Sequence, residues 1–328
     1  GGWTPSGAPR RTAAGDRPAA SVRRVADLPS SRVGGMALAN GLLVHDRDNW
    51  AAAVRGADGE LRVASGRAPR LKGVPALDLP LVRGLVRLGE AFAVLPLIRR
   101  RLPETRFALE DRRALTVAAA STIAIAIARR RIRSIWAQEI LSSVGGLVPA
   151  LVILRGSRVA VWHAVEHKCI AAYEQGGLDA VADADTMPKE HERCGSNLVL
   201  PLILSGTAAN VMARRVTGRR GLVTKTVASA ISIGVAVEVF AFAGRRPRHP
   251  LSRAVHAAGH WVQANFVTRE PTQGDLVVGR AALEALARAS GVGLSTNGAS
   301  PPGVTIGACG GGGRPRDAAP TRGRRATP

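Results

Sequence analysis

A chain of 328 residues is long enough for a sizeable core and one or two domains, and 46% apolar residues with only 3% aromatics mean that this core rests on Ala, Val, Leu and Ile. The net charge of +22 points towards an anionic membrane surface or nucleic acid, yet all but four of the 46 basic residues are arginine, a bias that a GC-rich genome also produces. Three cysteines exclude a disulfide framework and fit a reducing compartment.

Residues 1–32 are rich in Arg, Pro and Ala without hydrophobic period, and the sequence predicts a disordered basic N-terminus there. Order is expected from Val33. Trp50–Arg55 and Leu61–Ala64 flank Ala-Asp58-Gly59-Glu, which predicts a small β-hairpin closed by a two-residue turn. From Pro80 to Phe92 apolar side chains recur at helical spacing with Arg83 and Arg87 opposite them, predicting an amphipathic helix on the core or on a membrane surface.

Four hydrophobic segments follow. Ala114–Ala128 and Ile140–Leu154 are uncharged but short, Cys194–Ala213 is longer, and Thr226–Gly244 carries only Glu238. A spanning helix takes about 20 apolar residues. Arginines at the ends extend the short segments by snorkelling, and starting the second at Ser134 lengthens it at the cost of including Glu139. The expected fold is therefore mainly α: a polytopic helical membrane protein of about four transmembrane helices, near 114–133, 134–154, 194–213 and 226–244. A soluble Ala-rich bundle is the competing architecture. Arginine clusters bracket the segments at both ends, so the positive-inside rule gives no clean orientation. They also offer contacts to anionic lipids. Four crossings place the N-terminal region, the stretch after the second span and the C-terminal region on one side. The membrane expected is the cell membrane, with that side cytoplasmic.

Reactive side chains concentrate in Trp162-His163-Ala164-Val165-Glu166-His167-Lys168-Cys169. On a helix His163 and His167 share one face with Glu166 beside them. Two imidazoles at i, i+4 can both turn a nitrogen to one ion, and the order His-x-x-Glu-His is the inverted form of the zincin signature. A third ligand is expected from His191-Glu-Arg193-Cys194-Gly195, either the imidazole or the thiol. Cys194 precedes Gly195-Ser196-Asn197 and the third hydrophobic segment, so a helix N-terminus and Arg193 would favour its thiolate. Glu174 lies roughly 10 Å up the helix from His167 and, with Tyr173 and Arg193, is expected on the substrate side or behind the ligands. His256 and His260 are also spaced i, i+4, but lack an adjacent carboxylate, and are read as structural. Thr272 and Asp275 form a capping-box pattern before an apolar stripe of Leu276, Leu283 and Leu286, predicting a C-terminal amphipathic helix. Residues 295–328 are rich in Gly, Pro and Arg and read as a disordered tail holding Cys309.

Several of these stretches resemble the YqhQ-like integral membrane proteins (domain of unknown function 1385). They are Gly34-Gly35-Met36-Ala37 with Trp50–Gly59, the step Pro80-Leu-Val-Arg83-Gly84, and Thr268-Arg269-Glu270-Pro271 with the final helix. Above all, His163–Glu174 with His191–Ser196 looks like that family's central signature. The likeness covers roughly Val33 to Ala289, giving a membrane domain over 33–294. Ala37–Leu43 departs from the family pattern by lacking an acidic residue, and Asp183–Pro188 replaces a more basic approach to His191. The resemblance implies an integral membrane protein, sometimes labelled a metal-dependent enzyme, with no established reaction.

Two functions follow. One is a membrane-anchored metal-dependent hydrolase, in which His163, His167 and His191 or Cys194 ligate a divalent metal, zinc by preference, and Glu166 activates its water. The other is a non-enzymatic assembly or regulatory protein whose polar motif knits a loop onto the membrane helices through hydrogen bonds alone. Nucleic acid is the weakest partner, because the arginines lack interleaved aromatics and no recognition module is visible.

Overall fold

The computed structural model describes residues 33–71, 79–110, 112–218, 221–291 and 304–306. The N-terminal segment 1–32, Arg219, Arg220 and Cys309 lie outside them. Near the N-terminus four antiparallel strands meander in the order β1 (Gly34–Ala37), β2 (Gly41–His45), β3 (Asn49–Arg55) and β4 (Leu61–Arg67). The predicted hairpin is β3–β4, with Arg55 opposite Leu61. Its loop takes five residues rather than two: Gly56 N–H donates to Glu60 O at 2.8 Å and Gly59 takes φ +84°, a left-handed turn that suits glycine. Within the expected tail, Val304–Ile306 forms β5, parallel to β4.

Side chains alternate across this sheet, and both faces are covered. Leu42, Val44, Ala51 and Ala53 face a core shared with Trp162, Val165, Leu283 and Leu286. Leu43, Trp50, Ala52 and Val54 face a second core with Ile98 and Leu102. The helices behind these cores are α2 (Leu95–Arg101), α6 (Arg158–Ala180) and α10 (Gln273–Ala289). α10 opens with the expected capping box: Thr272 Oγ1 accepts from Asp275 N, and Asp275 accepts from Thr272 N at 3.0 Å.

The remaining helices are α1 (Val82–Ala93), α3 (Arg112–Arg131), α4 (Ile135–Gly145), α5 (Val148–Leu154), α7 (Val199–Thr217), α8 (Leu222–Arg245) and α9 (Pro250–Val262). Among the described residues three stretches are long and apolar enough to cross a membrane: Ile135–Leu154 (α4 and α5 together), Gly195–Thr217 and Leu222–Arg245. Their sides carry exposed Ile140, Val152, Leu204, Met212 and Ile231, which is the surface that lipid rather than water would cover. The first expected span is helical, as α3, but is not among the three. Its uncharged run ends at arginines on both sides, and 15 residues rise only about 22 Å against a hydrocarbon core of about 30 Å.

Charges inside this bundle are paired. Glu139, 4% exposed, accepts from Arg129 at 2.7 Å and from Arg214 at 2.8 Å. Glu238 is held by Arg83, and Gly84 lets α1 sit directly on Val237 of α8. The amphipathic helix therefore packs against α8 rather than on the sheet.

Candidate functional site

α6 runs from the end of the first candidate span under strand β1. Its stripe Val159, His163, Glu166, His167 and Ile170 lines a cavity of about 590 Å³, closed on other sides by β1, His45, Leu154, Ala108, Cys194 and Gly195. These α6 residues recur every three or four positions, so one helix face supplies them all.

His163 Nδ1 lies 2.9 Å from Val267 O, and His167 Nδ1 lies 2.6 Å from Lys189 O. A carbonyl only accepts, so each Nδ1 carries the proton and each Nε2 keeps its lone pair. The two rings lie side by side next to Cys194. The rings stand 4.4 Å apart, and His163 Nε2 is 3.2 Å from Cys194 Sγ. His167 Nε2 is buried and meets no hydrogen-bond partner. A ligand atom from each of His163, His167 and Cys194 lies within 4.8 Å of the others, so this group can hold a metal ion.

The donor set itself fits zinc. Two neutral imidazoles and a thiolate are borderline-soft ligands, and backbone carbonyls on the far ring nitrogens fix the tautomer as metal-ligating histidines require. Zinc bonds of about 2.0–2.3 Å would need the donors to draw closer than they stand here. An orphaned buried Nε2 would otherwise cost about 1–3 kcal/mol. Three protein donors leave a coordination position open, as catalytic zinc sites do.

His191 lines the same cavity but stands apart from the trio. Its ring is 5.7 Å from that of His167, and its Nδ1 accepts from Arg193 N–H at 3.2 Å. Burial, then the neighbouring His167, Arg193 and His260, pushes its pKa down to about 4. Cys194 caps the short 3-10 helix Gly195–Leu198, its Sγ accepting from Ser196 N–H. The expected helix N-terminus is thus present, but the Arg193 guanidinium goes to Glu174 instead of the thiol. Glu174 and Arg193 thereby anchor each other, and Tyr173 packs against the core beneath the sheet.

Glu166 is 7% exposed, and burial raises its carboxyl to about 7 against the opposing pull of His163. It lies directly under β1: a Cβ on Gly35 would fall 2.6 Å from Glu166 Cγ. Lys168, on the other side of α6, is wholly structural. Its Nζ donates to Asp185 O at 2.9 Å and Met187 O at 2.7 Å and pairs with Glu270. Cys169 sits in the core, where burial pushes its thiol up to about 12.

Residues that sequence reasoning passed over complete the setting. Gln263, fully buried, grips the His191 backbone from both directions, its Oε1 accepting from the N–H at 2.7 Å and its Nε2 donating to the carbonyl at 3.2 Å. Asn197 Nδ2 donates to Glu192 O at 2.7 Å. Together they hold the turn that presents Cys194. His45 adds another imidazole to the cavity wall, accommodated because Gly34 opposite it has no side chain. Only the Gly-Gly pair left a trace in the sequence. A carbonyl partner or a buried Gln leaves none.

Residues 152–289, which hold the site except β1, His45 and Ala108, match the family model described as "Protein of unknown function (DUF1385)". Over that stretch the chain is similar to that family. No curated protein and no solved structure matches the chain. The family description assigns no reaction, so the chemistry has to come from the site.

Proposed function

We propose that the protein is a multi-pass membrane protein of the cell membrane that holds zinc on His163, His167 and Cys194 and uses it to hydrolyse a substrate bound in the adjoining cavity. The observation that carries this reading is the grouping of two imidazoles and a thiol within 4.8 Å of one another, with both Nδ1 atoms occupied by backbone carbonyls so that each Nε2 is left to ligate. Bound zinc supplies a Lewis acid and a water acidic enough to be deprotonated near neutral pH. Glu166, between the two histidines and raised towards neutrality by burial, would be the group to hold that proton. His191, held neutral, and Arg193 face the substrate side of the cavity.

Packing supports a topology. The sheet and α10 share one core, so both lie on one side of the bilayer. An even number of crossings must then separate residues 67 and 273, and three candidate spans are odd. α3 supplies the fourth. It packs along α4 and α5, its first turn is next to Ala108 at the cavity, and its far end brings Arg129 to Glu139 and Arg214. Both ends of the described chain and the motif then face the cytoplasm, and arginines beside the spans meet anionic lipid headgroups.

Elemental analysis of detergent-purified protein tests the metal: about one zinc per chain is expected, lost in His163→Ala/His167→Ala. A metal-free protein with undiminished thermal stability would leave the motif as a hydrogen-bonded brace. For the topology, single cysteines placed at Asp58, Asp183 and Thr272 should all label from one compartment. Labelling of α3 end to end from that same compartment would refute the fourth crossing.

A further inference from the structure

The cavity lies where the chain enters and leaves the candidate membrane helices. Leu154, the last residue of one span, and Gly195, the first of the next, both line it, as does Ala108 just before α3. A belt of interfacial side chains marks the same level. Arg155, next to Leu154, stacks its guanidinium 5.4 Å over Phe266, whose ring is 5.3 Å from that of Trp261, and Trp261 is 60% exposed on the amphipathic helix α9. Exposed tryptophan with arginine beside a span is the signature of the headgroup layer. The stripe of α6 is apolar at Val159, polar at His163, Glu166 and His167, and apolar again at Ile170. Val159 lies at the membrane-proximal end beside Leu154, and one turn further His163 begins the polar part with Glu166, His167 and Cys194. At about 590 Å³ the space is of the size that holds a small ligand.

We propose that the ligand of this cavity is an acyl-chain amphiphile drawn from the bilayer, its chain along Leu154 and Val159 and its polar head at the His163–His167–Cys194 end. A water-soluble substrate would need no apolar wall continuous with the span ends, whereas an amphiphile reaches such a wall without leaving the membrane. The identity of the head-binding end rests on the metal-site reading; the acyl end does not.

The test uses the full chain reconstituted in phosphatidylcholine vesicles with a diazirine-bearing palmitic acid, photolysed and mapped by peptide mass spectrometry. Label is expected on residues of 154–170 and 194–196 as well as on the outer faces of the spans. Gly195→Phe fills the cavity from a position where an added Cβ meets nothing within 4 Å. It should cut the lining label about tenfold, equivalent to about 1.4 kcal/mol of affinity, and leave the outer-face label unchanged as the internal control for folding. Label confined to the outer faces, or lining label that survives Gly195→Phe, overturns the proposal. Zinc measured on the same samples separates the two readings: bound zinc without lining label rejects the amphiphile and keeps the metal site, while lining label without zinc supports the amphiphile and rejects the metal site.

Discussion

Two histidine pairs in this chain have the same i, i+4 spacing, and the molecule treats them differently. His163 and His167 on α6 have their Nδ1 atoms tied to the carbonyls of Val267 and Lys189, and a third donor, Cys194, arrives from another segment. His256 and His260 on α9 have no such arrangement: both ring nitrogens of His256 and Nε2 of His260 are buried without a partner, and His260 lines a separate cavity with Glu190 and Glu192. Spacing alone therefore decides little. A pair becomes a candidate site when its outer nitrogens are fixed and a third ligand converges. α9 nonetheless serves the first pair, because Gly259 on it backs onto Asn197 and Gln263 follows it, the two side chains that hold the 191–194 turn.

The sharpest way to break this comparison is to exchange alanine into each pair. His163→Ala/His167→Ala should abolish zinc binding outright, and His256→Ala/His260→Ala should leave it at the wild-type ratio. Elemental analysis at matched protein concentration reads both. Zinc retained in the first double variant, or lost only in the second, reverses the assignment.

Next in size is Gly259→Ala. The added Cβ would sit 1.8 Å from Asn197 Oδ1 and 2.9 Å from Asn197 Cα, and backbone does not yield as a side-chain tip does. About 3 kcal/mol of stability should go, in the upper range for overpacking, with a weaker but present metal site because Cys194 loses its support. Melting in detergent and a zinc titration measure the two effects. Unchanged melting would show that α9 does not buttress the turn.

Much of this was legible beforehand and some was not, for physical reasons. Local signals held for the hairpin around Asp58-Gly59, though not for its turn length, and for the capping box at Thr272 and the His-x-x-Glu-His periodicity, each lying within a few residues. β1 and β2 escaped notice as strands because Gly34-Gly35-Met36-Ala37 has no alternating pattern. Its glycines are there for the close approach of His45 and Glu166, a requirement set by residues far away in sequence. The choice between His191 and Cys194 stayed open in the sequence because it depends on where Gln263 and Asn197 place the turn. α3 was legible as a helix, but its arginine-bounded ends hide whether it crosses. Only the shared core of sheet and α10 bears on that.

Gly35→Ala probes the other wall of the first pair. Its Cβ would come within 2.7 Å of the Glu166 carboxyl, so roughly 2 kcal/mol should be lost. Glu166→Ala in the same chain should recover most of it, giving a coupling energy of at least about 1 kcal/mol in a double-mutant cycle. Additive losses would mean that β1 and Glu166 do not press on one another. Among the described residues the elements packed on α9 are helices, α7 and α8 among them, so no equivalent coupling is expected there.

The smallest effect expected is that of Thr272→Ala. Thr272 Oγ1 accepts from Asp275 N at 3.3 Å, and the Asp275 carboxylate accepts from Thr272 N and Oγ1 and pairs with Arg158 at the start of α6. Removing the hydroxyl deletes one half of the capping box and leaves the Arg158 contact, so about 1 kcal/mol is expected, the usual value for an N-cap threonine. Asp275→Asn removes the charge as well and should destabilise more, because α6 then loses its ionic tie to α10. Neither change touches a ligand of the first pair, so zinc per folded chain should hold at the wild-type value while the melting midpoint falls. A fall in zinc stoichiometry parallel to the loss of stability would show that the metal group is not preorganised by its own carbonyl partners, and the contrast between the two histidine pairs would then rest on packing beneath α6 rather than on the groups that fix the rings.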